Sequence, residues 1–130
     1  MSYYFATTLP LSMDEADQKT REALKAEGFG VLTEIDIKAT LKTKLDADFR
    51  PYRILGACNP PLAHKALQSE GHIGLMLPCN VIIQEAEGGV EVAAVDPVAS
   101  MAAVKNDTLG GVATEVRARL QRVIEALAAG

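Results

Sequence analysis

Two cysteines, two histidines, two asparagines beside prolines or cysteines, and one carboxylate–lysine group are the residues here that could do chemistry. Cys58 stands in Gly56-Ala57-Cys58-Asn59-Pro60 and Cys79 in Leu77-Pro78-Cys79-Asn80-Val81, and the 130-residue chain has no other cysteine. A thiol just ahead of a helix start lies near the positive end of the helix dipole. That favours the thiolate, the form that attacks electrophiles and binds soft metals. Cys58 meets the condition if Asn59 caps a helix whose first residue is Pro60. Acting together, Cys58 and Cys79 would suit redox sensing or the transient holding of copper(I) or zinc. His64 and His72 lie between them, but the spacing matches no closed zinc pattern and there is no C-x-x-C. The simpler reading makes both thiols small buried hydrophobes.

The polar candidates form a second set. Glu34-Ile35-Asp36-Ile37-Lys38 ends a strand pattern with a carboxylate and an ammonium, and Lys42 follows one turn on. With the amides of Asn59 and Asn80, Asp36 and Lys38 would make a ligand clamp at the ends of the strands. The plainer reading is surface charge for Asp36 and Lys38, an N-cap for Asn59 and a strand irregularity for Asn80. No Ser-His-Asp order, G-x-S-x-G elbow, Walker loop or G-x-G-x-x-G is present. Binding without catalysis is therefore the expectation, with no cofactor.

These residues need elements to hold them. Tyr3 to Thr8 is rich in aromatic and β-branched residues and reads as a strand. Ser12 and Glu15 form a capping box ahead of a helix of about 15 residues that Gly28 stops. Phe29, Val31, Ile35 and Ile37 alternate against Glu34 and Asp36, as in a half-buried strand. Ile37, Leu41 and Leu45 then recur every four residues, marking a short basic helix. Tyr52 to Ala57 is a strand feeding the Pro60 helix, whose apolar side is Leu62, Ala63, Ala66 and Leu67 and which ends near Gly71. Ile73 to Ala86 reads as one long strand segment with Pro78 at a bulge or edge. Gly88-Gly89 turns a hairpin into Val90 to Val95. Asp96 caps a short piece ending at Met101. Gly110-Gly111 is expected to be a loop before a final helix on Val112, Val116, Leu120, Val123, Ile124 and Leu127, with Arg117, Arg119 and Arg122 outward. The expected fold is α+β: an antiparallel or mixed sheet with two long helices on one face and short inserted helices. One domain, residues 1–130, accounts for the whole chain.

Bulk composition removes several partners. The formal net charge is −4, and no Lys/Arg-rich run offers the basic stripe that nucleic acid requires. No apolar run approaches the roughly 20 residues that span a bilayer, and no signal peptide is expected. A cytoplasmic protein with reduced thiols follows as the expectation.

The blocks GFGVLTEIDIKATLK, YRILGACNPPLAHKAL, LPCNVII and VDPVA, in that order, resemble the domain of unknown function 302 family. The matching positions include Gly28, Phe29, Asp36, Lys38, Gly56, Asn59, Pro60, Ala63, Pro78 and Asp96-Pro97. The resemblance implies a small α+β fold with a β-α-β4-α layout and a homodimer, and it implies no activity. A small molecule and a second copy are thus the expected partners. One route to a dimer is pairing of the apolar run Ile73 to Ile83 across a two-fold axis, extending the sheet.

Overall fold

The structure, a computed structural model, describes residues 2–130. Five strands, β1 (Tyr4–Leu9), β2 (Gly30–Asp36), β3 (Tyr52–Cys58), β4 (Cys79–Ala86) and β5 (Gly89–Val95), form one sheet in the order β1-β5-β4-β3-β2. Every neighbouring pair is antiparallel. The helices are α1 (Met13–Ala26), α2 (Ile37–Leu45), α3 (Pro60–Ser69), α4 (Pro97–Ser100) and α5 (Asp107–Ala129). This is the α+β architecture that the alternation and the hairpin called for.

One face of the sheet carries the core. Leu55, Val81, Ile83, Val90, Val92 and Ala94 pack with Ala16 and Leu24 of α1 and with Val116, Leu120, Val123, Ile124 and Leu127 of α5. A smaller cluster of Ala66, Ile73, Met101, Leu109 and Ala113 lies beside it. The helix signals act as read. Ser12 and Glu15 form the reciprocal capping box, Asn59 accepts from Leu62 N at 3.2 Å, and Asp96 accepts from Val98 N at 2.9 Å.

Three readings need correction. First, β2 does not alternate throughout. Its pairing with β3 shifts between Val31 and Thr33, a bulge that adds one residue and reverses the parity beyond it. Phe29 is buried against the helices, whereas Ile35 is turned to the other face and left 45% exposed. Glu34 and Asp36 are thereby brought to the helix side. There Glu34 binds Arg21, and Asp36 caps α2 through Ala39 N at 2.9 Å.

Second, Ile73 to Ala86 is not one strand. Ile73–Met76 is a 3-10 turn and β4 starts only at Cys79, immediately after Pro78. β4 is also an inner strand with β3 and β5 on its two sides, so its backbone has no free edge to pair with a second copy. Third, α5 begins at Asp107 and runs through Gly110-Gly111. Asn106 caps it by accepting from Thr108 N at 3.1 Å, and burial of Leu109 in the smaller cluster outweighs the poor helix propensity of the two glycines. The arginines of α5 face outward as read, with side chains 42%, 32% and 51% exposed for Arg117, Arg119 and Arg122, and they are also engaged. Arg117 pairs with Asp96 at 3.0 Å, Arg119 donates to the Glu27 carbonyl at 2.9 Å, and Arg122 pairs with the Glu27 carboxylate at 2.9 Å.

Candidate functional site

β3 ends at Cys58, and the chain turns through the Asn59 cap into α3. The apolar side of α3 carries Leu62, Ala63, Ala66 and Leu67. The 3-10 turn then returns the chain through Leu77 and Pro78 to the start of β4. Between this excursion, the ends of β2 and β3, and the first turns of α5 lies a cavity of about 290 Å³. Phe29 and Leu32 close it on the β2 side, Ala57 and Cys79 form strand wall, and Met101, Val112, Ala113 and Val116 form the far wall. The space exists because the walls meet through small residues. Ala57, Ala63, Ala66, Ala113 and Gly74 stand where larger side chains would fill the gap between the two hydrophobic clusters.

The bulge contributes directly. It turns Leu32 outward to 67% exposure at the edge of the cavity, while Val31 and Thr33 stay in register with Ala57 and Gly56. Leu67 at 46%, Leu75 at 82% and Met76 at 39% are the other large apolar side chains left exposed on α3 and the 3-10 turn. Among the described residues no carboxylate, ammonium or guanidinium lines the cavity; its polar side chains are Asn59 and the two thiols. Whatever enters must leave any charge outside, because an unpaired charge in such walls costs far more than the contacts return.

The thiols share this cavity but differ in setting. Ala57, not Cys58, stands opposite Cys79 in the β3–β4 register. Cys79 is buried and Cys58 half-buried, and both are free. Burial, with a smaller contribution from the neighbouring Cys58, pushes the Cys79 thiol up to about 11. That is the reverse of activation. Among the described residues no group of three or more His, Cys, Asp and Glu is placed to hold a metal ion, and the His72 side chain is 90% exposed beside Glu70. A raised folded-state value keeps the proton on Cys79 up to about pH 11. Stability from the neutral thiol is therefore complete below the unfolded value near pH 9 and declines as pH rises through 11. Alkylation of native protein at pH 8 is expected to label Cys58 at least about tenfold faster than Cys79, as thiolate fraction and access dictate. Peptide mapping after a timed iodoacetamide pulse checks this, and equal rates would contradict it.

The four polar candidates are not brought together. Asp36 stands opposite Arg53 and shares a shallow hollow with Lys38, Ser12, Met13, Asp14 and Arg53. Asn59 lies six residues beyond Arg53 along β3, about 20 Å away at the usual rise per strand residue. Asn80 is opposite Gly56 and faces a different concavity, on the side of the sheet away from α1 and α5. Only Asn59 touches the apolar cavity. Its amide also donates to the Glu27 carbonyl at 3.5 Å, and Arg119 donates to the same oxygen. These two side chains crowd Gly28, where a Cβ would sit 2.9 Å from the Asn59 nitrogen and 3.2 Å from Arg119. The positive φ of 86° at Gly28 and this close approach give that glycine its reason.

Near Asp36 the two arginines are spent on carboxylates, while Lys38 enters none of the ion pairs among the described residues. Arg53 binds Asp14 at 2.9 Å and Asp17 at 3.0 Å, while Arg21 binds Asp17 and Glu34. Both guanidinium pKa values are raised, in each case chiefly by a hydrogen bond to an aspartate. This network ties α1 to β2 and β3, and it explains the otherwise unexpected burial of Asp17 on α1. The cavity walls contributed by Leu32, Leu77, Met101, Val112 and Ala113 were not foreseen. The run of alanines at apolar helix positions was the available signal, since small residues on facing elements leave space.

Comparison with known proteins places the chain. The family described as "Domain of unknown function DUF302" matches residues 5–127. A solved structure, the crystal structure of an uncharacterized conserved DUF302 protein from Bacillus stearothermophilus, is similar at 26% identity with a TM-score of 0.89. The likeness covers 96% of this chain and 98% of that one. No curated protein matches.

Proposed function

The chain belongs to the DUF302 family, and on that premise we propose that it is a homodimeric, non-enzymatic binding protein for a small uncharged apolar molecule. The ligand occupies the cavity between α3, α5 and the ends of β2, β3 and β4. The observation that carries this reading is an open, nearly all-apolar cavity of about 290 Å³ at a place where a core would normally be filled. An apolar cavity of about 150 Å³ stays dry and takes up benzene, so this one suits an apolar group of roughly twice that size. Asn59 offers the one amide, at the edge.

Thiol chemistry is the weaker reading, because burial holds the proton on Cys79. No helix among the described residues is long and apolar enough to cross a membrane. Binding in the cavity is tested by thermal denaturation with 1-octanol as probe. A ligand of about ten heavy atoms at about 0.6 kcal/mol per atom, between the limits for the smallest and for drug-sized ligands, gives a Kd on the order of 10–100 μM. At about ten times Kd the midpoint should rise by roughly 5 °C. A midpoint unmoved by octanol up to its solubility would refute the reading.

A further inference from the structure

The side of the sheet away from α1 and α5 carries a hollow that the apolar cavity does not touch. It holds about 410 Å³, within the range of about 300–1,000 Å³ usual for ligand pockets. Tyr3, Tyr4 and Tyr52 all line it, and the chain has no other tyrosine. Their convergence follows from register. Glu91, Gln84 and Tyr52 are paired side by side on β5, β4 and β3. Two residues along, Ala93, Ile82 and Ile54 make an apolar row, and Ala93 and Ile82 floor the hollow. Two residues further, Tyr4 is opposite Val95, about 13 Å along the strands from the row of Glu91. Tyr3 meets Tyr4 edge-on with ring centres 5.1 Å apart, and the two side chains are left 68% and 43% exposed.

The other end of the hollow is charged. Arg50 Nε donates to Gln84 Oε1 at 2.9 Å, and Gln84 Nε2 donates to Glu91 Oε1 at 2.9 Å. The Arg50 guanidinium carbon lies 4.5 Å from the centre of the Phe49 ring and 5.6 Å from that of Tyr52, so two aromatic faces help to hold it in place. Among the described residues neither Arg50 nor Glu91 enters an ion pair. A cation and an anion thus stand apart across one carboxamide. Two hydrogen bonds and the O–C–N path between them put Arg50 Nε and the Glu91 carboxylate about 8 Å apart at most.

We propose that this hollow binds a free α-amino acid with an aromatic side chain. The ligand carboxylate takes the outer N–H groups of Arg50, and its ammonium takes the Glu91 oxygen that Gln84 leaves. The two groups flank one carbon, and with a hydrogen bond of about 2.8 Å at each end they bridge the separation. The ring then lies over Ala93 towards Tyr4, where offset and edge-on contacts are favourable, with the Asn80 amide beside it. A ligand with a single charge meets one of the two groups and is opposed by the other, which selects a zwitterion. The site goes beyond the apolar cavity and does not depend on it.

Fluorescence anisotropy of L-tryptophan titrated with the full chain tests the proposal. The chain has no tryptophan, so the indole emission belongs to the probe. A Kd below about 1 mM is expected for a ligand of this size. Arg50→Gln and Glu91→Gln should each weaken binding at least about tenfold, because each removes one charge-assisted hydrogen-bond partner. Indole-3-propionate lacks the ammonium and tryptamine lacks the carboxylate, and each should bind the parent chain at least about tenfold more weakly than L-tryptophan. Circular dichroism checks that the variants fold, and the two analogues decide the matter if a variant does not. No saturable rise in anisotropy up to about 2 mM chain would overturn the proposal. Parent-like affinity in either folded variant, or for either analogue, would overturn it as well.

Discussion

Gly56→Ala is expected to destabilise the fold by about 3 kcal/mol, the scale of an overpacked core site. A Cβ at Gly56 would meet the Thr33 hydroxyl at 2.2 Å and the Pro78 ring at 2.7 Å. The Pro78 ring is not free to retreat, and Thr33 can yield only by turning its exposed side chain. Thr33 follows the bulge and is paired with Gly56, and Pro78 abuts the first residue of β4, which is paired with Ala57. The site therefore feels the change, because Leu32 and Leu77 to Cys79 sit beside these two neighbours and line the cavity. Chemical denaturation of Gly56→Ala, Thr33→Ala and the double variant provides the check. Thr33→Ala should recover about 1 kcal/mol in the Gly56→Ala background by relieving the shorter contact. A Gly56→Ala protein as stable as the parent would show that Thr33 and Pro78 do not close on this strand.

Ala63→Phe should remove the binding site while leaving the fold in place. Ala63 is half-buried on α3 and lines the cavity. A benzyl group added there can turn inward to occupy the space that octanol would take. Affinity for octanol is expected to fall more than about 30-fold, consistent with a ligand whose binding is mostly apolar burial. The midpoint of the unliganded variant should hold or rise, since filling a void recovers contacts that the parent lacks. The comparison is calorimetric titration of parent and variant at matched concentrations. Unchanged affinity would move the ligand elsewhere.

Periodicity and capping made most of the fold legible in advance. Ser12 with Glu15, Asn59 with Pro60, and Asp96 with Pro97 each mark a helix start by satisfying a free N–H or by omitting one, and all three do so in the structure. What resisted was register. The bulge between Val31 and Thr33 leaves no composition signal of its own, yet it decides which face Ile35, Glu34 and Asp36 occupy. Ile73 to Met76 reads as strand because a short apolar run cannot distinguish a strand from a turn packed on a core. The ligand site was read from four polar residues, and two of them are used up by local bonds: Asp36 on Ala39 N, Asn59 on Leu62 N. A cavity is made by absent side chains on elements far apart in sequence, such as Ala57, Ala66 and Ala113. Their proximity follows from packing alone.

The cavity as ligand site is tested most directly by methyl-resolved NMR of the native chain titrated with 1-octanol. Methyl signals of Leu62, Leu77, Val112 and Val116 should shift together and saturate with one affinity, while those of Ile35, Ile54 and Ile82 on the opposite face stay in place. Shifts confined to the isoleucine row, or no saturable shift at the cavity, would contradict the assignment.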